Sequence, residues 1–312
     1  MTDVPQLSIS LRSFAVDAPT DGWGSLVGAA RAADAAGIDR VVVSDHVVMG
    51  ERLEAYADPA RGGRRGGRQP TGPDGHWLDP LAVLAHLAAV TERVRLGTSI
   101  LVAALRRPVV LAGQCSTIDV LSGGRLDLGV GVGWQAEEYE AAGLDFARRG
   151  RLLDHTLEVC TTLWTETVAD LESPELRFER IHQMPKPLAP GGVPIWVSGT
   201  VNPAAMRRLA RFGAGWIPWG DDATDPIGGI AHMRSAVADL GRDPAGLGVV
   251  GTLRVPQGDD GAPVPEAAMA EVGALVEAGV TDVRLAMPVP DEAGAAADLL
   301  GRAVAAFRSA IG

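Results

Sequence analysis

Cysteine is nearly absent from this chain of 312 residues, which contains only Cys115 and Cys160. This scarcity excludes a scaffold held together by several disulfide bonds. Both cysteines fall in predicted helices, so buried thiols in a reducing compartment are the expected state. The first ten residues, MTDVPQLSIS, have neither the basic nor the apolar region of a secretory signal. The sequence therefore predicts a cytoplasmic protein.

Positive charge and long apolar runs are also scarce. The chain has one lysine, and its 28 basic and 39 acidic residues give a formal net charge of −11. This excess of negative charge argues against nucleic acids and anionic membranes as partners. No apolar run is long enough to span a bilayer. The 6 histidines show no His-x-His or His-Glu-x-x-His spacing, so no metal site is predicted.

One segment of the chain predicts a strand, a helix and a second strand in succession. Residues 95–102 and 126–130 are apolar and rich in strand-forming types, and Pro108 opens the helix between them. Such a unit implies a parallel sheet whose functional edge lies at the C-terminal ends of the strands. Gly131 and Gly133, after the second strand, would let a flat ligand approach the backbone closely.

The same alternation of strand and helix continues from end to end. Eight strand candidates lie at about residues 7–11, 41–43, 95–102, 126–130, 194–197, 216–217, 247–253 and 283–285. The 46% of apolar residues can fill a sizeable core. Strict alternation without an internal linker predicts an α/β protein, a closed (β/α)8 TIM barrel that forms a single domain over residues 1–312. An open doubly wound sheet is the alternative, but no dinucleotide fingerprint follows the first strand.

Two stretches interrupt the regular pattern. Residues 46–77 contain the sequence ARGGRRGGRQPTGPDG, and residues 149–190 hold a long helix followed by an irregular stretch. Because both come after strands, we expect them as insertions at the C-terminal mouth of the barrel.

Asp45 and His46 directly follow the second predicted strand, which places them at the barrel mouth. An imidazole in that position can move a proton near neutral pH, and an adjacent carboxylate can hold or tune a ring. A helix cap or a structural hydrogen bond is the alternative for such a pair. Position at the end of a strand favours the functional interpretation.

Two segments are candidates for binding an anion. Ser198, Gly199 and Thr200 precede a predicted helix, whose backbone N–H groups and dipole attract negative charge. An ordinary N-cap by Thr200 or Asn202 explains the same residues. The second candidate is a basic cluster in the first insertion, either a lid that recognises acidic groups or a solvated loop. Its members are Arg61, Arg64, Arg65 and Arg68.

Several longer segments carry a family resemblance. They are VVVSDHVV, LDPLAVLAHLAAVTERVRLGTSILV, RRPVVLAGQCSTIDVLSGGRLDLGVGVGWQAEEYEAAGLDFARRGRLLDH, PKPLAPGGVPIWVSGT and GAGWIP. These segments resemble the luciferase-like monooxygenase superfamily, and most of all its branch that uses the deazaflavin coenzyme F420. The resemblance runs from Val41 to about Pro218, and the C-terminal third fits in the order of its segments. It implies a (β/α)8 barrel with an isoalloxazine-type ring at the C-terminal mouth.

The resemblance also implies roles for individual residues. The cofactor-binding positions that it implies are Asp45, His46, Thr98, Ser99, Ile100, Gly131, Gly133, Glu137, Ser198, Gly199 and Thr200. At Ser99-Ile100 the family has a cis non-prolyl peptide that bulges against the ring. His46 is the implied proton donor or acceptor, and Asp45 would position the ring.

The activity implied by the resemblance is hydride transfer between the deazaflavin and a small organic substrate. The FMN-using luciferases carry a phosphate-binding arginine where this chain has Val132, which favours F420 over FMN. Three alternatives stay open: an FMN-dependent monooxygenase that activates oxygen, a non-catalytic flavin-binding protein, and a barrel hydrolase with a metal on His46 and His76.

The predicted helices near residues 80–90 and 111–121 are apolar on more than one face. Examples are Leu81, Leu84, Leu87, Val110, Leu111 and Ile118. Because a barrel helix needs only one apolar face, the sequence predicts a homodimer through this region, as the resemblance also implies.

Overall fold

Eight parallel strands close into a barrel in the computed structural model, which describes residues 4–312. The strands are β1 (Gln6–Ser10), β2 (Arg40–Val43), β3 (Arg95–Thr98), β4 (Leu126–Val130), β5 (Ile195–Gly199), β6 (Gly215–Pro218), β7 (Gly248–Arg254) and β8 (Asp282–Ala286). The main helices that follow them are α1 (Gly24–Ala36), α2 (Pro80–Val90), α3 (Pro108–Leu121), α4 (Arg149–Thr165), α5 (Pro203–Phe212), α6 (Pro226–Asp239), α7 (Val272–Ala278) and α8 (Ala293–Ile311). Each strand pairs with the next around the ring, and β1 closes it by pairing with both β2 and β8. The predicted (β/α)8 barrel is confirmed.

Each strand has one face toward the helices and one toward the barrel interior. In β1, Leu7 and Ile9 belong to the apolar core beneath the helices, whereas the Ser8 hydroxyl donates to Asp282. Successive side chains of a strand point to opposite faces, so this parity identifies the interior positions of the strands. Because both faces are covered, β2 reads as an apolar run, Val41–Val43, and does not alternate.

The helices begin with residues suited to a first turn. Proline opens α2, α3, α5 and α6, where its fixed φ is favourable and its missing N–H costs nothing. The side chains of Asp79 and Asn202 accept backbone N–H groups at the starts of α2 and α5. None of the helices in residues 4–312 has the length and apolar character needed to cross a membrane.

A network of charged side chains fills the end of the barrel at which the strands begin, opposite the mouth. Arg40 donates to Asp127 at 2.8 Å and also to Asp282, and Arg95 donates to Asp127 at 2.7 Å. Burial opposes ionisation of Asp127, but the two arginines hold the pKa of its carboxyl below the ordinary value. Both acidic side chains are therefore paired where water is excluded, as buried charges require.

The first insertion crosses the barrel mouth. It leaves β2, forms the short helical turns Leu53–Ala57 and Pro59–Arg61, and ends in the strand His76–Trp77, which pairs with Phe14–Ala15. After β6, the Trp219 indole N–H donates to the carbonyls of residues 62 and 63 at 3.0 and 3.1 Å. Because β2 and β6 stand on opposite sides of the closed ring, the insertion spans the opening, as predicted.

The second insertion is placed differently from the prediction. After α4 the chain forms an antiparallel hairpin, Ala169–Glu172 and Arg177–Ile181. The Lys186 ammonium donates to carbonyls at the C-terminal end of α4, and Glu175 in the hairpin turn pairs with Arg148 at its N-terminal end. The hairpin thus runs along α4. The expectation that the whole stretch lies at the mouth is wrong, because α4 first returns the chain to the other end of the barrel.

Two element boundaries differ from the sequence prediction. The strand expected over residues 95–102 ends at Thr98, and Ala103–Leu105 forms a helical turn. The helix that the alternation of elements predicts between β7 and β8 is divided into Pro265–Ala268, a turn at Met269–Glu271, and α7. Neither difference changes the order of the barrel strands.

The residues that suggested a dimer surface are mostly used by the fold itself. On α2 and α3, the side chains of Leu81, Leu84, Leu87, Leu111 and Ile118 are buried in the apolar core. Val110 is the one predicted residue of this group that is exposed. The prediction that these side chains are left over for a dimer contact is therefore wrong for the five buried residues. The apolar side chains that α3 does expose are Val109, Val110, Val120 and Leu121, and the homodimer stays a prediction.

Candidate active site

Loops from three neighbouring strands meet at the barrel mouth. After β3, Ser99 N–H donates to the Val43 carbonyl of β2 at 2.8 Å. Gly131 N–H, after β4, donates to the Leu101 carbonyl at 3.2 Å. These backbone bonds hold the ends of β2, β3 and β4 side by side. The predicted site residues that they bring together are Asp45, His46, Thr98, Ser99, Ile100, Gly131 and Gly133.

The His46 imidazole is almost enclosed, with 9% of its side chain exposed. The rings of Trp77 and Trp134 pack against it edge-on, at centroid distances of 4.6 and 5.9 Å. Its Nε2 lies 3.4 Å from the side-chain nitrogen of Gln69. Packing therefore fixes the imidazole at the position predicted for a proton donor or acceptor.

A buried carboxylate lies beside this imidazole. Glu138, with 1% of its side chain exposed, places Oε1 at 3.3 Å from Nδ1 of His46. The pair is within ion-pair distance but is not aligned as a hydrogen bond, and Nδ1 has no other partner among residues 4–312. Oε1 accepts the N–H of Val47 at 2.9 Å, whereas Oε2 has no partner in the same part of the chain. Such unpaired buried atoms are rare and call for a functional or solvent partner.

Asp45, in contrast, is fully engaged by the chain. Its carboxylate accepts from Arg106 at 2.7 and 3.0 Å and from Val102 N–H at 2.8 Å. None of its side chain is exposed. In this arrangement Asp45 fixes the segment after β3, and its carboxylate has no free surface toward the mouth.

The peptide bond between Ser99 and Ile100 is cis, as the resemblance implied. The Ser99 hydroxyl accepts a hydrogen bond from Arg284 at 2.7 Å. A Cβ placed on Gly131 would lie 2.9 Å from Cδ1 of Ile100. The absence of a side chain at residue 131 thus lets Ile100 keep its place at the mouth.

The turn after β4 is held by a tyrosine. The hydroxyl of Tyr139, which is buried, donates to the carbonyl of Val132 at 2.7 Å. Gly133 has φ +67°, a left-handed conformation that favours glycine. A Cβ on Gly62 of the first insertion would meet the Gly133 carbonyl at 2.9 Å, so the insertion packs directly on this turn.

The segment Ser198, Gly199 and Thr200 lies at the end of β5, next to β6. Asn202 caps α5, since its Oδ1 accepts the N–H groups of residues 204 and 205 at 3.1 and 3.0 Å. The N-cap interpretation is therefore correct for Asn202.

Other donors near this helix start are also in use. Val201 N–H donates to the carboxylate of Asp222 at 2.7 Å. Within residues 4–312, the hydroxyls of Ser198 and Thr200 donate to no acceptor, and they remain as donors for an anion. The structure supports a small anion site here less strongly than an open helix end would.

Glu137 does not approach His46 as closely as its neighbour does. Its carboxylate accepts from Arg52 at 2.5 Å. Partial burial opposes ionisation, but Arg52 lowers the pKa of the Glu137 carboxyl. The pair joins the first insertion to the helix Ala136–Ala141, so Glu137 contributes to loop position.

Aromatic side chains concentrate around the mouth, although they make up only 4% of the chain. The Tyr56 ring lies 5.3 Å from that of Trp134 and 6.2 Å from that of Trp219. The Arg64 guanidinium stands 5.9 Å above the Trp219 ring. Burial raises the pKa of Tyr56. These contacts give the first insertion a defined position across the opening.

The arginine cluster of the insertion is exposed. Arg61 and Arg65 lie 3.8 Å from the carboxylates of Asp58 and Asp221, too far for strong pairing. Arg68 is exposed as well. The cluster thus presents positive charge beside the mouth without being neutralised by close partners.

Sequence reasoning missed three residues at this site: Arg106, Glu138 and Arg284. Arg106 and Arg284 reach Asp45 and Ser99 from distant parts of the chain, and no sequence spacing indicates such contacts. Glu138 lies beside Glu137, which the sequence analysis named as a cofactor-binding residue. Their helix has only six residues, too few for a pattern that shows which carboxylate faces inward. No three His, Cys, Asp or Glu side chains are grouped as metal ligands in the described part of the chain.

The (β/α)8 barrel, the cis non-prolyl peptide after β3 and the imidazole after β2 together form the arrangement that the sequence resemblance implied. A family model described as luciferase-like monooxygenase matches residues 8–303. The chain belongs to this family, whose members are flavin- or F420-dependent oxidoreductases and monooxygenases.

Relatives and solved structures agree with this assignment. An uncharacterized protein of Mycobacterium tuberculosis is 31% identical over 265 residues, 83% of this chain and 86% of that protein. An F420-dependent glucose-6-phosphate dehydrogenase of Nocardia farcinica is 32% identical over 211 residues, 65% of this chain and 55% of that protein.

Two solved structures share the fold at low identity. An F420-dependent secondary alcohol dehydrogenase in complex with an F420–acetone adduct superposes with a TM-score of 0.74, 16% identity and coverage of 98% of this chain and 99% of that one. A type II Baeyer–Villiger monooxygenase of Pseudomonas putida in complex with FMN superposes with a TM-score of 0.73, at 14% identity and with coverage of 99% of both chains. The neighbours thus include both F420 and FMN proteins.

Proposed function

We propose that the chain is a coenzyme F420-dependent oxidoreductase that transfers a hydride between the deazaflavin and a small organic substrate. The observation that carries the proposal is the arrangement of the mouth. His46, the cis peptide at Ser99 and the turn at residues 131–133 lie side by side at the ends of neighbouring strands. The F420-dependent dehydrogenases among the relatives and structural neighbours support the choice of coenzyme.

The residues present fit a flat ring with polar edges. Ile100 offers an apolar side chain that packs on an interior apolar cluster. The turn at residues 131–133 brings backbone without bulky side chains to the same place. His46 Nδ1 and Glu138 Oε2 are buried polar atoms without partners in the described part of the chain, and a bound ring, its substrate or water would satisfy them.

The remaining parts of the coenzyme also find suitable chemistry. F420 carries a phosphate and an acidic polyglutamate tail, whereas FMN ends at its phosphate. The hydroxyls of Ser198 and Thr200 are donors for the phosphate, and the exposed cluster of residues 61–68 supplies positive charge for the tail. Val132, where luciferases carry a phosphate-binding arginine, also favours F420.

Several residues of the chain would contribute to the reaction by exchanging a proton, limiting the access of water or positioning the site. When bound, F420 supplies a ring carbon that accepts or donates a hydride. The His46 imidazole, with Glu138 beside Nδ1 and Gln69 beside Nε2, is the group that exchanges a proton with the substrate. The first insertion covers the mouth and limits the access of water. Asp45 and Arg106 keep the cis-peptide segment in place.

An FMN-dependent monooxygenase is the second candidate, because an FMN-bound monooxygenase shares the fold. Turnover assays separate the two. The chain is incubated with oxidised or reduced F420 and a panel of alcohols, aldehydes and carboxylic acids, while the deazaflavin absorbance and dissolved oxygen are followed. We expect substrate-dependent change in the F420 absorbance without oxygen uptake.

The same assay identifies the other candidates. Oxygen uptake with reduced FMN and no F420 turnover would make the chain a monooxygenase. Binding of either coenzyme without turnover across the panel would support a flavin-binding protein without catalysis. His46→Ala is the matched control for turnover that depends on the mouth.

A further inference from the structure

Arg284 is a buried cation on β8, at a position that faces the barrel interior. The residue is 7% exposed. Its Nη1 donates to the Ser99 hydroxyl at 2.7 Å, and its Nε donates to the Ser8 hydroxyl at 3.3 Å. Its Nη2 donates to no acceptor in residues 4–312, and no carboxylate of that range forms an ion pair with it. Buried arginines without an anion are unusual, because burying an unpaired charge is costly.

The other charges of the barrel interior balance one another. Arg40 and Arg95 pair with Asp127, and Arg40 also pairs with Asp282. In this network of the described residues, two arginines match two aspartates, and Arg284 is a third positive charge that forms no ion pair of its own. Burial lowers the pKa of Arg284, Asp282 opposes this, and Arg40 adds to it. A negatively charged group from outside the chain would complete the balance.

Arg284 lies between the charged network of the barrel interior and the mouth. It is two residues along β8 from Asp282, so both side chains face the interior. Its strand partners are Ser8 and Thr252. Thr252 beside it is exposed, and so are Arg254 and Ala286, which lie on the same face two residues closer to the mouth. An open interior wall therefore connects the guanidinium with solvent at the mouth.

Apolar side chains lie beside this charge. Trp196, Ile217 and Val250 form a buried cluster on interior positions of β5, β6 and β7, and Ile100 packs against it. The indole N–H of Trp196 is buried, and it has no hydrogen-bond partner among the residues that the structure describes. The interior thus offers one cation, one unused neutral donor and an apolar surface.

We propose that Arg284 and the Ser99 hydroxyl form an anion subsite at the base of the mouth, which receives the carboxylate of a small apolar carboxylic acid as substrate. This inference rests on the proposed function, because the subsite adjoins the cis peptide at which the ring would bind. A guanidinium matches a carboxylate in shape and charge. The apolar cluster then receives the hydrocarbon part of the acid.

The probe for this subsite is benzoate, with benzyl alcohol as the neutral analogue of similar size. Binding is measured by ligand-observed saturation-transfer NMR on the coenzyme-free protein, and again with saturating F420. We expect benzoate to bind and benzyl alcohol to bind at least about tenfold more weakly, since a buried charged hydrogen bond is lost. Equal binding of the two probes would overturn the proposal.

Two variants locate the effect. Arg284→Met removes the charge while keeping an unbranched side chain, and we expect it to weaken benzoate binding at least about tenfold. Arg254→Met changes the exposed arginine of the same wall, and we expect only a few-fold loss, because exposed pairs contribute little. A similar loss in both variants would mean that general positive charge at the mouth attracts benzoate, and would overturn the subsite.

A third variant keeps the test decisive if Arg284→Met misfolds. Arg284→Lys retains a cation and should keep most of the benzoate affinity, and loss of that affinity in a lysine variant with native circular dichroism would contradict a charge-based subsite. If Arg284→Met does not fold, the selectivity of the wild type and the lysine variant still decides the outcome. Benzoate that binds the lysine variant no better than benzyl alcohol would then overturn the proposal.

The F420 arm separates this inference from the proposed function. We expect benzoate to bind the wild type equally well with and without F420, because the subsite receives the substrate and not the coenzyme. Displacement of benzoate by F420 would mean that Arg284 contacts the coenzyme, which overturns a substrate subsite but leaves the proposed function intact. Failure of F420 to bind at all, with benzoate binding unchanged, would contradict the proposed function alone.

Discussion

The carboxylate of Asp45 forms a two-pronged ion pair with the guanidinium of Arg106, at 2.7 and 3.0 Å, in a site where Asp45 has no exposed side-chain surface. The same carboxylate accepts Val102 N–H at 2.8 Å. One side chain therefore connects the end of β2 with the segment after β3. This geometry makes Asp45 a positioning residue.

Replacing Asp45 tests that role. Asp45→Asn leaves Arg106 buried without its main partner, which should cost about 3 kcal/mol of the free energy of unfolding. The measurement is urea unfolding followed by circular dichroism.

The matched control is Asp79→Asn, which changes the exposed partner of Arg106 at 2.9 Å. Asparagine still caps α2, so the loss should stay below about 1 kcal/mol. Equal losses in the two variants would contradict the account of Asp45.

Replacing His46 tests the proton step. If the imidazole exchanges a proton with the substrate, His46→Ala should lower turnover by roughly 10²–10⁴-fold while coenzyme affinity stays close to that of the wild type. The measurement combines steady-state kinetics with a coenzyme titration. Glu138→Gln is the companion variant: it keeps an acceptor for Val47 N–H but removes the charge beside Nδ1.

We expect Glu138→Gln to reduce turnover less than His46→Ala does, because the imidazole remains. Unchanged turnover in both variants, with a confirmed substrate, would reduce His46 and Glu138 to packing residues.

The stability of the fold should fall in acid partly through Asp34. Partial burial opposes its ionisation, but the backbone N–H groups of residues 92–94, at 2.7 to 2.9 Å, lower its pKa below the ordinary 3.8. A lowered folded-state pKa stabilises the protein above the unfolded-state pKa, and this contribution is lost as the pH falls through the folded-state pKa.

Asp34→Asn should therefore cost about 1–3 kcal/mol at neutral pH, and the difference from the wild type should shrink below pH 3.8. Urea unfolding across this pH range measures it, with Asp17→Asn, an exposed site, as control. A difference that does not change with pH would be evidence against a charge-dependent role.

The arginine cluster gives a salt-dependent prediction for the coenzyme tail. Replacing Arg61, Arg64, Arg65 and Arg68 with serine should weaken F420 binding roughly tenfold at low salt, since each exposed contact contributes about 0–1 kcal/mol. The effect should nearly disappear at about 1 M salt. FMN binding, which involves no acidic tail, should change little.

A control variant with the same change of net charge carries serine at four exposed arginines elsewhere, namely Arg148, Arg151, Arg177 and Arg211. It should bind F420 as the wild type does. If the cluster variant also binds F420 normally at low salt, the loop acts as a substrate lid or a solvated linker.

The barrel could be predicted because its strands depend on local signals. Val41–Val43 is an apolar run, and the prolines at α2 and α3 mark helix starts. The cis peptide at Ser99 was implied by family resemblance, and no local pattern of residue types indicated it. The hairpin along α4 was misplaced, because its position depends on the contact of Glu175 with Arg148 across 27 positions.

The site was predictable only at the ends of strands. His46 and Gly131 follow apolar strands, which places them at the mouth by topology. The contacts of Arg106 and Arg284 join residues 61 and 185 positions apart, and such pairing is decided by packing. For the same reason the sequence assigned Asp45 to the ring, although its carboxylate is used by Arg106.

The most direct test of the central claim is a fluorescence titration of the wild type with F420 and with FMN under identical conditions. The account predicts saturable binding of F420, with one coenzyme per chain and an affinity at least about tenfold above that for FMN, as an acidic tail near four arginines would give. Tighter binding of FMN than of F420 would contradict the assignment of the deazaflavin coenzyme, and binding of neither would contradict the ring site at the mouth.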